Sequence, residues 1–240
     1  MSVLTLRLAG PLQSWGSAGR FARRTTERVP TKSGVLGLLA AAQGRDRVAD
    51  VSDLAALAFG VRIDQPGTRL RDFQTAHHGD TGKAMPVSER FYLADAVFVA
   101  AVEGDEALIA DLHAAVRTPH YLPFLGRRCC PPSRPVDLNT HRETDLLGAL
   151  RTEPWQASDR VQLRRRKERR VELEVVKELP AGEGPGDTLR DQPLSFDSGH
   201  RRYGLRSVHS HRVTVPNPLA EKRPRPPVQD HDPMLALGDA

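Results

Sequence analysis

Residues 90–102 read RFYLADAVFVAAV. Phe91, Leu93, Val97, Phe98, Val99 and Val102 give this stretch the aromatic and β-branched density of a strand. Directly after it the period changes. Leu108, Ile109, Leu112 and Val116 recur at helical spacing, so Asp105 to Val116 reads as a helix with one apolar face. Working back toward the N-terminus gives a matching pair. Gly60 to Asp64 reads as a strand and Ser52 to Phe59 as a short helix. Val35, Leu36, Leu38, Leu39 and Ala42 form the apolar face of a longer helix, capped by Thr31 or Ser33 and ended by Gly44. Val3, Leu4, Leu6 and Leu8 read as the first strand, with Thr5 and Arg7 interleaved.

Between these units, residues 65–89 hold Pro66, Gly67, Gly79, Gly82 and Pro86 among mixed charges and read as an exposed excursion. The order strand, helix, strand, excursion, strand, helix, glycine loop predicts an α+β fold over residues 1–135. Its core is expected to be a ferredoxin-like (RRM-like) βαββαβ unit. Residues 136–216 are expected to form a smaller β-rich part. It contains a short helix at Leu146 to Leu150, strands at Val171 to Val176 and Val208 to Val215, and a Gly/Pro turn at 180–187. The proline-rich residues 217–240 are expected to be a disordered tail.

Composition narrows the function classes. The chain has 240 residues, 39% of them hydrophobic, and no apolar run long enough to span a bilayer. Met1 to Gly16 lacks the pattern of a secretory signal, so the cytoplasm is the expected location. Cys129 and Cys130 are adjacent, which suits neither a disulfide nor a zinc site. The net charge is +5, and 30 of the 35 basic residues are arginine. The charge is clustered. Residues 1–34 hold six basic side chains against Glu27, and residues 160–170 hold seven against Glu168. Residues 117–135 hold Arg117, Arg127, Arg128 and Arg134 against no acid. A clustered basic footprint points to a polyanion partner.

Four motifs carry chemistry. TKSGVLG at a helix start offers free N–H groups, Lys32 and Ser33 to a phosphate, or is ordinary capping; it is not a nucleotide-hydrolysing loop, which needs GxxxxGK[ST]. LGRRCCPPSRP follows Gly126 with Arg127 and Arg128, a turn able to set two guanidiniums along a phosphate chain or a solvated loop. Arg164 to Arg170 is a third basic run, either a polyanion contact or a solvated edge. Trp15, His120 and Tyr121 are aromatics placed to stack on splayed bases, although Trp15 also suits packing beneath its loop. Catalytic patterns are sparse. His209 and His211 lack a third metal ligand, so no metal and no cofactor is expected. An acid–base pair such as His120 with Tyr121 keeps a metal-independent endoribonuclease open as the alternative. A generic single-strand RNA binder working alone is the third reading.

Five segments together resemble one family: LRLAGPLQSWG at Leu6 to Gly16, RVPTKSGVLGLLAAA at Arg28 to Ala42, RDFQT at Arg71 to Thr75, RFYLADAVFVAAV at Arg90 to Val102, and PHYLPFLGRRCCPPSRP at Pro119 to Pro135. They are similar, in the same order, to the CasD-type subunits of Cascade, the type I-E CRISPR surveillance complex, which belong to the RAMP superfamily. The resemblance implies a ferredoxin-like core with a glycine-rich loop that grips the 5′ handle of the CRISPR RNA and caps one end of the complex. It implies a thumb at residues 65–89, touching the neighbouring backbone subunit and RNA. It also implies contact with the large subunit and, indirectly through the complex, with target DNA. In this branch a separate subunit cleaves the RNA, so the resemblance implies no catalysis. It assigns handle binding to Gln13, Ser14, Trp15, Gly16, Arg28, Thr31, Lys32, Ser33, Gly126, Arg127 and Arg128. The basic Arg20 to Arg24 stretch and the tail after Pro216 depart from the family pattern.

Overall fold

The computed structural model describes residues 1–16, 22–180 and 184–221. In chain order its elements are β1 (Ser2–Ala9), β2 (Leu12–Gln13), β3 (Arg23–Arg24), α1 (Lys32–Ala42), α2 (Ser52–Ala55), β4 (Ala58–Gln65), β5 (Thr68–Gln74), β6 (Ser88–Ala94), β7 (Val97–Gly104), α3 (Glu106–Arg117), β8 (Asp137–Arg142), α4 (Leu146–Thr152), α5 (Asp159–Arg164), β9 (Arg170–Glu178), β10 (Asp187–Ser195) and β11 (Arg202–Pro216).

Strands β1 and β7 are buried along nearly their whole length, which requires cover on both faces of the sheet. The side chains sort by strand alternation. Leu4, Leu6, Leu8, Phe98, Ala100 and Val102 join Leu36, Leu39, Ile109 and Leu112 in one core beneath α1 and α3. Val3, Val99 and Ala101 join Leu146, Leu150, Trp155, Val171 and Val213 in a second core on the opposite face. The seven strands lie in the order β10-β11-β9-β4-β7-β1-β8, and each neighbouring pair is antiparallel. Strands from both halves of the chain therefore share one mixed α/β scaffold. Because α4 and Trp155 cover the second face, the broad face of the sheet is not open to bases.

Buried polar groups fasten that second layer. Arg62 and Asp64 are both fully buried and paired, and Asp64 also accepts from the Gln156 backbone at 2.6 Å. Glu153 accepts from Thr5 at 2.5 Å and from Asn139 at 3.0 Å, which ties α4 to β1 and β8. Asp105 caps α3 by accepting from the Ala107 and Leu108 amides at 2.9 and 3.3 Å, worth about 1 kcal/mol.

Several expectations are corrected. The stretch 90–102 is not one strand but two, β6 and β7, in different sheets. The break lies at Asp95, whose φ of 57° is a left-handed conformation that a strand cannot absorb. The exposed excursion holds regular structure that its composition does not announce. Strand β5 pairs along β6 from Thr68 opposite Ala94 to Gln74 opposite Ser88, forming a hairpin joined by β2 and β3 in a second sheet. The helix expected over Ser52 to Phe59 stops at Ala55, because Phe59 enters β4 and the first core. Strand β10 starts at Asp187, inside the expected turn at 180–187; TLRDQPLS lacks the apolar alternation that signals a strand. Arg20 and residues 222–240 of the expected tail lie outside the described residues.

Candidate nucleic-acid interface

The family motifs converge on one buried side chain, Trp15. The turn after β1 begins with Gln13, fully buried, whose amide donates to Leu8 O at 3.0 Å and Ala96 O at 2.8 Å. Its own carbonyl accepts from the Trp15 indole at 3.0 Å. Ser14 donates to Phe91 O at 3.0 Å, and the Trp15 amide donates to Thr26 Oγ1 at 2.9 Å. A glycine lies on each side of this turn. A Cβ at Gly34, in the first turn of α1, would sit 2.8 Å from the indole, and one at Gly126 would sit 1.8 Å from Ser14 O. Gly126 also has φ +82°, so both conformation and space demand glycine there. Gln13, Ser14 and Trp15 are thus scaffold, facing the interior; Gly16 alone of that set is exposed.

The start of α1 carries cations whose charge the chain matches with its own carboxylates, Nη1 of Arg206 alone among them being buried without an acceptor among the described residues. Thr31 caps the helix by accepting from the Gly34 amide at 3.2 Å. The free Lys32 amide donates to the Asp191 carboxylate at 2.8 Å, and Arg206 donates to the same carboxylate at 2.6 and 2.8 Å. Lys32 is 2% exposed, and its ammonium donates to both oxygens of Glu178 at 3.0 and 2.8 Å. Burial pushes this ammonium below its ordinary pKa, and the hydrogen bond and charge of Glu178 oppose the shift. Ser33 is buried as well. The anion at this helix start is a protein carboxylate; of the two readings of TKSGVLG, Thr31 matches capping, and Lys32 and Ser33 are buried. Arg28 is exposed but ion-paired with Glu174. The cleft of about 490 Å³ beside it is lined by Glu172 and Glu174 as well as Arg28 and Arg212, a balanced set with no preference for an anion.

The glycine loop is different. Leu125 O accepts from the Ser14 amide at 3.1 Å, and the Cys130 amide donates to Arg127 O at 2.8 Å, so the turn is tight. Arg127 donates to Arg24 O at 2.9 Å and stacks 4.8 Å above the Tyr92 ring. Its Nη1, and Nε of Arg90 on β6, are buried without an acceptor among the described residues. Buried guanidinium N–H groups without partners are uncommon and call for a ligand or water. Arg24 lies opposite Arg90 in the parallel β3–β6 pairing, so three guanidinium-bearing residues meet beside exposed Arg128. Cys130 is buried and its thiol is pushed up to about 12, by burial first and Cys129 second, so it is no nucleophile.

Sequence reasoning missed Arg24, Arg90 and Tyr92 as site members. It also missed the hairpin face, where Arg23 and Arg69 flank Phe91 at 5.5 and 4.6 Å and Arg71 covers Phe73 at 4.6 Å. The alternation in TRLRDFQ is the signal that finds this face once the segment is read as a strand. Leu70, Phe73, Met85 and Val87 remain exposed on the same hairpin. His120 and Tyr121 are not beside the glycine loop's arginines. Their amides donate to Ala42 O and Ala41 O at 2.9 and 3.4 Å, at the far end of α1, with the two rings edge-on at 4.5 Å. The rings of His209 and His211 meet edge-on at 4.8 Å, and no cluster of metal-ligating groups forms among the described residues. Nor is any helix there long and apolar enough to cross a membrane.

On this mixed α/β scaffold a buried aromatic pin lies between two glycines, beneath a loop bearing guanidinium donors without acceptors among the described residues. The model of the CRISPR-associated protein (Cas_Cas5) family matches residues 3–209, and the chain belongs to that family. It is similar to the CRISPR system Cascade subunit CasD of Escherichia coli (strain K12), with 39% identity over 170 residues, 62% of this chain and 75% of that protein. Two solved structures share the fold. One, described as "Crystal structure of Cas protein", has 37% identity and a TM-score of 0.69 over 92% of this chain and all of its own. A chain of a "CRISPR RNA-guided surveillance complex" has 33% identity and a TM-score of 0.72 over 93% of this chain and 95% of its own. The resemblance read from the five segments holds.

Proposed function

We propose that this chain is a non-catalytic, RNA-binding structural subunit of a type I-E CRISPR surveillance complex, gripping the 5′ handle of the CRISPR RNA and capping the subunit backbone. One observation carries the reading: Arg127 and Arg90 hold buried, unpartnered N–H donors at the glycine loop, beside exposed Arg128. A phosphate there accepts from donors that the protein leaves unmatched. Gly16, Arg127 and Arg128 are the contacts, with Arg24 and Arg90 added. Gln13, Ser14, Trp15 and Gly126 hold the loop in place, and Thr31, Lys32 and Ser33 fix the start of α1. The core β1–α1–β4–β7–α3–β8, in spatial order β8-β1-β7-β4, has the connectivity of a ferredoxin-like unit. The strands beyond it, β9 to β11, are the smaller C-terminal part.

The β5–β6 hairpin is the thumb. Its exposed Leu70, Phe73, Met85 and Val87 suit a neighbouring backbone subunit, and its stacked arginines suit RNA. The large subunit, and target DNA through the complex, complete the partners, and the complex works in the cytoplasm.

The test is purification of the complex with Arg127→Ala and Arg128→Ala in this subunit. CRISPR RNA content should fall by about tenfold or more, given several lost phosphate contacts. Unchanged RNA content would sink the assignment. Labelled repeat RNA incubated with the chain should stay intact; a product with a defined end would favour an endoribonuclease instead.

A further inference from the structure

The third basic run lies on the other side of the sheet. Arg165 covers the Trp155 ring at 5.5 Å, and Trp155 belongs to the second core, whereas the glycine loop sits over Trp15 in the first. The N-cap of α5 is fixed by Ser158, which donates to Gln65 Oε1 at 3.2 Å through its amide and 3.0 Å through its hydroxyl. The run is therefore anchored to the end of β4, next to where the β5–β6 hairpin leaves the sheet.

Three of its cations are committed within the chain. Arg165 pairs with Glu168, Arg166 with Glu221 at 2.7 Å, and Arg170 donates to Thr214 O at 3.2 Å. Arg160, Arg164, Lys167 and Arg169 are all exposed and have no partner among the described residues. Arg160 and Arg164 are one helical turn apart, about 6 Å, which brings both guanidiniums onto one strip of surface. A cluster this dense repels itself in water and gains from any row of negative charge.

The missing aromatic decides which row. Single-stranded nucleic acid is held by stacking platforms as well as by charge. Residues 150–175 hold a single aromatic, Trp155, and it is buried beneath Arg165. A duplex needs no platform, since its bases are already stacked and it presents phosphate alone. We propose that Arg160, Arg164, Lys167 and Arg169 form a second, sequence-independent site for the phosphate backbone of duplex nucleic acid. It is separate from the handle site and goes beyond guide-RNA binding.

The test uses the full-length chain with a DNA duplex of about two helical turns, titrated between roughly 50 and 200 mM salt. The variant carries Arg160→Ala, Arg164→Ala, Lys167→Ala and Arg169→Ala. It should bind the duplex about tenfold or more weakly, and its plot of log affinity against log salt should be shallower by about 3 to 4, close to 0.9 per lost phosphate contact. Replacing the three arginines by lysine should restore both, which separates charge from folding. In the assembled complex the alanine variant should keep its CRISPR RNA. An unchanged slope overturns the site, as does an equal loss for single-stranded RNA of the same length. Loss of CRISPR RNA from the complex would return these residues to the guide surface. If Arg127→Ala with Arg128→Ala keeps its RNA while the four-residue variant behaves as expected, handle binding fails and the duplex site stands.

Discussion

The start of α1 and the glycine loop carry similar chemistry in the sequence and opposite chemistry in the structure. Each has a basic side chain, a glycine and free amides. At α1, Lys32 and its amide meet Glu178 and Asp191, and Arg206 completes a buried cluster in which its charge faces Asp191, although its Nη1 has no acceptor among the described residues. At the loop, Arg127 and Arg90 keep donors without acceptors, and Arg128 faces solvent. A basic motif at a helix start is thus a binding site only if the rest of the chain leaves its charge unmatched. The supply of carboxylates decides which: the buried Lys32 ammonium meets Glu178, while no carboxylate among the described residues reaches the donors that Arg127 and Arg90 hold at the loop.

Three changes sharpen or break this contrast, and their effects on stability should descend. Lys32→Ala leaves the Glu178 carboxylate, largely buried, without its partner. It should cost about 3–5 kcal/mol, read as a lower urea midpoint at constant slope. A loss below about 1 kcal/mol would show that the cluster is not the lock described here. Gly126→Ala forces a Cβ into Ser14 O at a left-handed backbone and should cost about 2–3 kcal/mol, with loss of RNA from the complex. Arg127→Ala with Arg128→Ala should cost only about 0.5–1 kcal/mol, chiefly the stacking on Tyr92, yet strip RNA from the complex. Equal damage to stability from the arginine pair and from Lys32 would erase the contrast.

The smallest effect concerns His211, which belongs to neither region. Burial first, then His209 and Lys177, lower its pKa from 6.5. The unfolded chain then binds more protons as pH falls, so this contribution to stability is full above about 6.5 and is lost below it. His211→Gln should flatten that decline slightly in thermal unfolding followed from pH 7 to 5.

The periodic elements were legible in the sequence. Strand β1 and helices α1 and α3 follow from alternation and helical spacing, and Gly126 with Arg127 follows from turn chemistry. The split between β6 and β7 was not, because it depends on a single left-handed residue, Asp95, inside an apolar run. The closure of the α1 site was not legible either. Its carboxylates come from positions 146 and 159 residues further along the chain, on strands whose pairing no local pattern reveals. Arg90 escaped notice because it reads as an ordinary polar residue in a strand, until β3 and the glycine loop are placed beside it.

Trp15 and Gly34 have a consequence for inheritance. With the indole 2.8 Å from where a Cβ would stand, neither position can change first without harm. Gly34→Ala alone should be damaging, and a smaller ring at position 15 should relieve only part of the harm, because the Thr31 hydroxyl that caps α1 would stand 2.9 Å from the same Cβ. Across related chains positions 15, 31 and 34 should therefore drift together, so that a lineage keeping the tryptophan and the capping threonine is held to the glycine as well.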